Sequence, residues 1–547
     1  MKVVFFAANC SYSHTSLAAW SLRAMVDETI FEWQTLEITV KDSPSKVLAQ
    51  LLEAKPDVVA ATLYLFNHDF VAGILRSLRA LRADCRIVVG GPECLGCNDM
   101  VAGTGGLADV AIRGEGERAL PALLECWRTG QSWDDLPGFC GLDSQGTFRD
   151  NGSAQMIEDF DSLPAFYARE LVEFHKPFIQ LETSRGCGNG CLFCTSRHTA
   201  RRVHSANRVR GDLQAIAAAG VKDVRIVDRT FNEDRARALM LVRMFRDEFP
   251  MLRFHLEIEP ARFNQELAGE FAMAAPGRFH LEAGIQSLNP TVCATIERGA
   301  TVQRTREGLK RLCDLHNLEV HVDLIAGLPG GELSDILADL EAVMLFRPAE
   351  IQLERLKLLP GTPLAQEPSR WGLISKATPP YQVLRTSSLS SDDLQQSDRL
   401  SKLIDWFYNT RELHSFIADA AMIDSAFLVR FEEWGREKMG FDVRPSLESR
   451  FETLNTFLKK EIGQNGAWES IADRLCYRWF RLGYSPRNRL RPAAPWKFEV
   501  PIGAVLVEGD ASAKVARKWL VELKPPHLFC YGTGSRGERA VVAVYRL

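Results

Sequence analysis

Twice along this chain of 547 residues, short apolar runs alternate with amphipathic helical stretches, and that alternation leaves few folds open. In the first series "KVVFFAA" precedes "LAAWSLRAMV", "FEWQTLEIT" precedes "SKVLAQLLEA", and "DVVAATLYLF" precedes "VAGILRSLRALR". "RIVVGG" and "ADVAIRGEGE" follow, the latter leading into "RALPALLECW". Strands rich in β-branched residues with helical crossovers predict an α/β domain, a doubly wound parallel sheet, over residues 1–140. Its ligand crevice should lie at the strand C-termini, in the loops "ANCSYSHT", "LYLFNHD", "VGGPE" and "RGEGE".

Residues 141–176 carry turn signals such as "DSLPAF" and read as a linker. The second series fills residues 177–365, with strands expected at "FIQLETS", "DVRIVD", "RFHLEIE", "RFHLEAGIQS", "EVHVDLIAGLP" and "EIQLERLKLLPGT". Six βα units make a partial (β/α)6 barrel of the TIM type, whose active residues belong at the strand C-termini. Residues 366–547 change character and predict a mostly helical C-terminal domain with a small β element.

The cysteines decide the chemistry. There are 13, an odd number, scattered except at "CLGC" (Cys94, Cys97) and in "SRGCGNGCLFCTSRH". The opening "MKVVFFAANC" lacks the longer apolar stretch and cleavage site of a signal peptide, and no segment approaches a transmembrane span, so a cytoplasmic protein with reduced thiols is expected. A thiolate metal site then outranks a disulfide framework. Cys187, Cys191 and Cys194 supply three thiolates from one loop after the first barrel strand. A structural zinc would need a fourth ligand, for which His198 is the candidate. The spacing is not a common zinc-finger spacing, and Gly186, Gly188 and Gly190 let the loop wrap a larger cofactor. A 4Fe–4S cluster on three cysteines leaves one iron open. The "CLGC" cysteines read as packing residues. The formal charge of −4 disfavours a nucleic-acid partner, and the basic run from Arg197 to Arg210 reads as a solvated loop or an anion-facing rim.

The Cx₃Cx₂C triad, with Phe193 before its last cysteine, resembles the radical S-adenosylmethionine (SAM) superfamily. "DVRIVDRTFN", "HLEIEP", "EAGIQSLNP", "DLIAGLPGG" and "LLPGTPL" extend the resemblance along the barrel. It implies that the open iron chelates SAM, and that one electron from the cluster cleaves the sulfonium to a 5′-deoxyadenosyl radical. It also implies SAM contacts from Phe193, Asp228, Arg229, Glu257, Gln286 and Leu328, with Asp228 and Arg229 in place of the family's Gly-Gly-Glu.

The first domain, with "VGGPE" and "RGEGE" before such a barrel, resembles the Rossmann-like cobalamin-binding domain of one radical SAM subgroup. That implies cobalamin contacts from Asn9, His14, Thr62, Tyr64, Leu65, Phe66, Gly90, Gly91, Pro92, Glu93, Gly114, Glu115 and Gly116. The subgroup's Asp-x-His-x-x-Gly motif is absent. His14 stands in the matching loop without the orienting carboxylate, so it is read as capping a helix start or touching the cobalamin periphery, with Tyr64, Leu65 and Phe66 near an unligated cobalt. The whole resembles a branch of the cobalamin-dependent radical SAM enzymes with its own C-terminal domain and no assigned activity, and the expected function is a methyltransferase acting on an unactivated carbon, one SAM methylating the corrinoid and a second giving the radical. Cyclisation, oxidation or rearrangement with the same cofactors is the alternative chemistry, and a non-catalytic cobalamin or redox sensor the alternative class. A small-molecule or peptide substrate and a reductant such as flavodoxin or ferredoxin are the expected partners, with no membrane.

Overall fold

The computed structural model describes all residues except 97–106, 144, 170, 463–466, 483, 485–489, 491–492, 498, 502–503, 510–514, 516, 522, 524 and 534–538. Its chain forms two compact units, residues 1–336 with 354–394, and residues 337–353 with 395–547.

The first unit holds both expected α/β sheets. Strands β1 (Lys2–Asn9), β2 (Glu32–Thr39), β3 (Val58–Thr62), β4 (Arg86–Gly90) and β5 (Val110–Ile112) pair in parallel in the order β2-β1-β3-β4-β5. Residues 3–8 of β1 and all of β3 are buried, the mark of a parallel sheet covered on both faces. Helices α1 (Leu17–Ala24), α2 (Pro44–Ala54), α3 (His68–Leu81) and α4 (Gly116–Thr129) supply the crossovers. The sheet continues into residues read from the sequence as linker: β6 (Phe139–Leu142) and β7 (Phe148–Asp150) add to β5 antiparallel.

The second sheet runs in the order β8 (Ile179–Leu181), β11 (Asp223–Ile226), β12 (Arg253–Ile258), β13 (Phe279–Gln286) and β14 (Glu319–Ala326), all parallel. Between β8 and β11 an antiparallel hairpin stands apart, β9 (Ser184–Cys187) with β10 (Thr199–Val203). Helix α5 (Ala206–Ala218) follows, capped by the Ser205 hydroxyl. Alternate residues of β13 and β14 are fully buried, with His280, Glu282, Gln286, His321 and Asp323 on the partly accessible face. This is the barrel-like layer, and the polar residues face its lumen.

The second unit is helical, with helices such as His414–Ile423, Phe427–Lys438 and Ala467–Arg481, plus a five-stranded antiparallel sheet. Phe427, Phe431, Phe457 and Trp468 form its aromatic core, with Phe431 and Phe457 at 4.9 Å between ring centroids. No helix among the described residues is long and apolar enough to cross a membrane.

Candidate functional site

A cavity of about 220 Å³ opens at the C-terminal ends of the barrel strands, and all three cysteines of the triad line it. β9 ends at Cys187, and Gly186 before it has φ 98°; a Cβ there would stand 2.4 Å from the Ala200 carbonyl oxygen. The hairpin therefore closes only around glycine. The loop beyond is pinned by Leu192 N–H donating to Ile296 O at 3.1 Å and His198 N–H donating to Asn189 O at 3.0 Å. Each sulfur has a polar neighbour: Thr230 Oγ1 at 3.5 Å from Cys187 Sγ, Arg298 Nη1 at 3.7 Å from Cys191 Sγ, and Ser196 N at 3.4 Å from Cys194 Sγ. His198 is not on the cavity wall; its ring packs against Gly190. Among the described residues no three His, Cys, Asp or Glu side chains are grouped to hold a single metal ion.

Phe193, Arg229, Glu257 and Gln286 line this cavity. Asp228 does not. It is fully buried, and its carboxylate accepts from Thr183 N at 2.7 Å, Ser184 N at 2.8 Å and Ser184 Oγ at 2.7 Å. Both oxygens are thus spent on the segment that launches the cysteine hairpin, which corrects the expectation that Asp228 faces SAM. Leu328 is also off the wall, 2% exposed, with its carbonyl accepting from Gly331 N. Residues the sequence reading missed include Glu259 and Arg298, paired at 3.0 Å. Glu259 Oε1 is buried with no hydrogen-bond partner. Gln286 sits on a β-bulge with φ 67°, a costly conformation for a non-glycine residue held at the cavity rim.

Carboxyls crowd the same wall. Burial pushes Glu257 up to about 7, and burial with the neighbouring Glu282 pushes Asp323 up to about 8. Folded Glu257 thus holds a proton that the unfolded chain sheds near pH 4, so its contribution falls as pH rises from about 4 toward 7. Glu257→Gln should therefore remove about 3 kcal/mol of the stability lost between pH 4 and pH 8. Urea midpoints of the metal-free protein across that range check this, and an unchanged pH slope contradicts it.

The second cavity, of about 360 Å³, runs along the first sheet beneath α1 and α4. Phe5, Leu22, Val88, Ile112 and Leu120 give it apolar walls, and Thr62, Tyr64, Gly90, Gly91, Gly114, Glu115 and Gly116 line it too. Gly91 has φ 104°, and a Cβ would come 2.6 Å from Leu63 O, so glycine alone fits that turn. The other expected cobalamin contacts lie off this wall. Asn9 donates to Glu37 Oε1 at 2.6 Å and His14 O at 3.1 Å, bracing its own loop. His14 Nδ1 lies 2.9 Å from Ser11 Oγ, and its ring meets Phe178 edge-on at 5.1 Å. Nor does it cap the helix, because the Ser16 hydroxyl accepts from Ala19 N and does so instead. Phe66 is exposed and stacks on Tyr64, and Leu65 is partly buried beside it. Pro92 opens a short 3₁₀ turn, and the Glu93 carboxylate accepts from the Tyr381 hydroxyl at 2.7 Å. Burial pushes the Cys94 thiol up to about 12, consistent with a packing cysteine, and Cys97 lies outside the described residues.

Barrel residues complete this second cavity: Glu182, Arg185, His204, Arg208 and Asp212. Arg185, two residues before Cys187, donates to Glu117 of α4 at 2.7 Å and to Glu182 at 2.8 Å. Burial would raise the Glu117 carboxyl, but the Arg185 charge and hydrogen bond outweigh it and hold it below the ordinary range. One guanidinium thereby joins the wall of one cavity to the loop that forms the other. The Arg229 charge likewise bears on both Glu257 and Tyr64.

Comparison with known proteins matches residues 3–124 to the B12 binding domain, 181–343 to the Radical SAM superfamily and 369–489 to a protein of unknown function (DUF4080). The chain is 26% identical over 270 residues to the uncharacterized methyltransferase PH0819 of Pyrococcus horikoshii, covering 47% of this chain and 57% of that one. It is 31% identical over 196 residues to the hopanoid C-3 methylase of Methylococcus capsulatus, covering 33% and 36% respectively. The match therefore spans less than two thirds of either relative. Among solved structures, the radical SAM methyltransferase TsrM of Kitasatospora setae, with tryptophan substrate and a SAM analogue bound, superposes with TM-score 0.59 at 18% identity, covering 80% of this chain and 98% of that one. The cobalamin-dependent SAM radical enzyme OxsB gives TM-score 0.61 at 15% identity, covering 89% and 82%. At such identities these two speak for the fold. The chain carries a Radical SAM domain, with a B12 binding domain ahead of it and a domain of unknown function behind it.

Proposed function

We propose that this chain is a cobalamin-dependent methyltransferase acting on an unactivated carbon of its substrate. One observation carries the reading: a cavity walled by three cysteines and a crevice in a B12-binding domain are tied together by the Arg185 ion pairs. Cys187, Cys191 and Cys194 would hold a 4Fe–4S cluster, and the donor set fits, with three thiols on one wall and His198 away from it. When bound, the cluster supplies an electron to SAM and cobalamin supplies a methyl carrier.

The chain's own residues do the placing. Arg298 holds Glu259 beside Cys191, and the orphaned Glu259 Oε1 suits an ammonium such as the SAM amino group. Arg229, Glu257 and Gln286 line the space left for SAM and substrate. Gly90, Gly91, Gly114 and Gly116 let backbone approach the corrinoid, and the apolar walls below them suit its nucleotide tail. Excluding water from both cavities protects reactive species from quenching.

The test needs no known substrate. Protein reconstituted without oxygen and supplied with cobalamin, SAM and dithionite should form both S-adenosylhomocysteine and 5′-deoxyadenosine. S-adenosylhomocysteine should appear only when cobalamin is present. Neither product, from protein carrying both cofactors, overturns the reading.

A further inference from the structure

His204 is the one imidazole on the wall of the 360 Å³ cavity, and it is 5% exposed. Its Nδ1 lies 3.0 Å from the Asp161 carboxylate, which also accepts from Ser205 N at 3.0 and 3.2 Å. Phe160 packs on the ring at 4.3 Å. Burial, with the Arg208 charge behind it, pushes the imidazole down to about 4, so it is neutral at pH 7. Its single proton sits on Nδ1, facing Asp161, and the Nε2 lone pair is left without a protein partner. The charged groups on this wall and the Tyr167 hydroxyl are occupied. Arg208 bonds Asp212 at 2.8 Å and Leu163 O at 2.7 Å, Arg185 bonds Glu182 and Glu117, and the Tyr167 hydroxyl donates to Gln180 O. Nε2 is thus a fixed acceptor at the edge of an apolar slot.

We propose that His204 reads the edge of the base ending the nucleotide tail of the bound corrinoid, accepting a hydrogen bond from it at Nε2. The site then prefers a corrinoid whose lower base carries an N–H or O–H donor over one presenting only a bare ring nitrogen. A bare nitrogen would instead set its lone pair against that of Nε2 at this edge of the slot. The inference rests on assigning this cavity to cobalamin.

The test titrates the full-length, cluster-reconstituted protein with two corrinoids that differ only in lower base, adenine in one and dimethylbenzimidazole in the other, read by the corrinoid absorbance shift. Wild type should bind the adenine form about tenfold more tightly, the worth of one hydrogen bond. His204→Phe should erase the preference. Asp161→Asn should invert it, because an amide donating to Nδ1 moves the imidazole proton to Nε2. Equal affinities in wild type, or a preference that survives both substitutions, overturns the inference. Binding of neither corrinoid overturns the cavity assignment itself, and the inference with it.

Discussion

Replacing Cys187, Cys191 and Cys194 together by alanine is expected to abolish 5′-deoxyadenosine formation while leaving cobalamin affinity within about twofold of wild type, inside the few tenths of a kcal/mol by which well-separated sites fail to add. The expectation follows from the separation of the two cavities, which share no lining residue. Removing the thiols takes away every sulfur ligand on the barrel cavity and touches nothing on the other wall. The readout is the cluster absorbance of the reconstituted variant, set beside a corrinoid titration. A variant that still cleaves SAM would show that the iron is held elsewhere. A variant that loses both cofactors would show that the hairpin carrying the triad also shapes the corrinoid crevice.

Arg185→Met should destabilise the protein by about 3 kcal/mol, the scale for breaking one side of a buried ion pair. Glu117 is 5% exposed, and methionine would leave it and the half-buried Glu182 without their shared cation. Phe160 would also lose the guanidinium that stands 4.9 Å from its ring centre. Because Glu117 titrates below its ordinary range, this stabilisation is complete at neutral pH and lost as pH falls below about 4 through its folded value. The variant's deficit should therefore shrink on acidification. Urea denaturation at pH 7 and pH 3 measures both. A loss under about 1 kcal/mol at pH 7 would mean that the pair is worth no more than a surface contact.

The sequence made the sheets legible because parallel, doubly covered strands read as unbroken apolar runs, as β1 and β3 do. The triad was legible because three thiols from one loop need no tertiary knowledge. Glycine positions carried the crevice, since Gly90, Gly91, Gly114 and Gly116 all reach its wall. What stayed hidden depends on partners far apart in the chain. Asp228 looks like a strand-end residue facing a ligand, and only the fold shows Thr183 and Ser184 claiming both its oxygens. Glu259 and Arg298 meet across 39 residues, and Asp161 and His204 across 43. His14 drew the eye as a histidine in the expected loop, but its bonds are local, to Ser11 and Cys10. The histidine with an orienting carboxylate on the crevice is His204, which in the sequence lies in a basic run with no apparent partner. The antiparallel strands β6, β7, β9 and β10 were missed because each is three to five residues long and carries no clear alternation.

The most direct measurement is elemental: iron, cobalt and zinc per chain in wild type and in the triple cysteine variant, both prepared without oxygen and supplied with cobalamin. The two-cofactor account predicts about four irons and about one cobalt in wild type, with the variant losing the iron and keeping the cobalt. Zinc in place of iron, or iron with no retained cobalt, would contradict it.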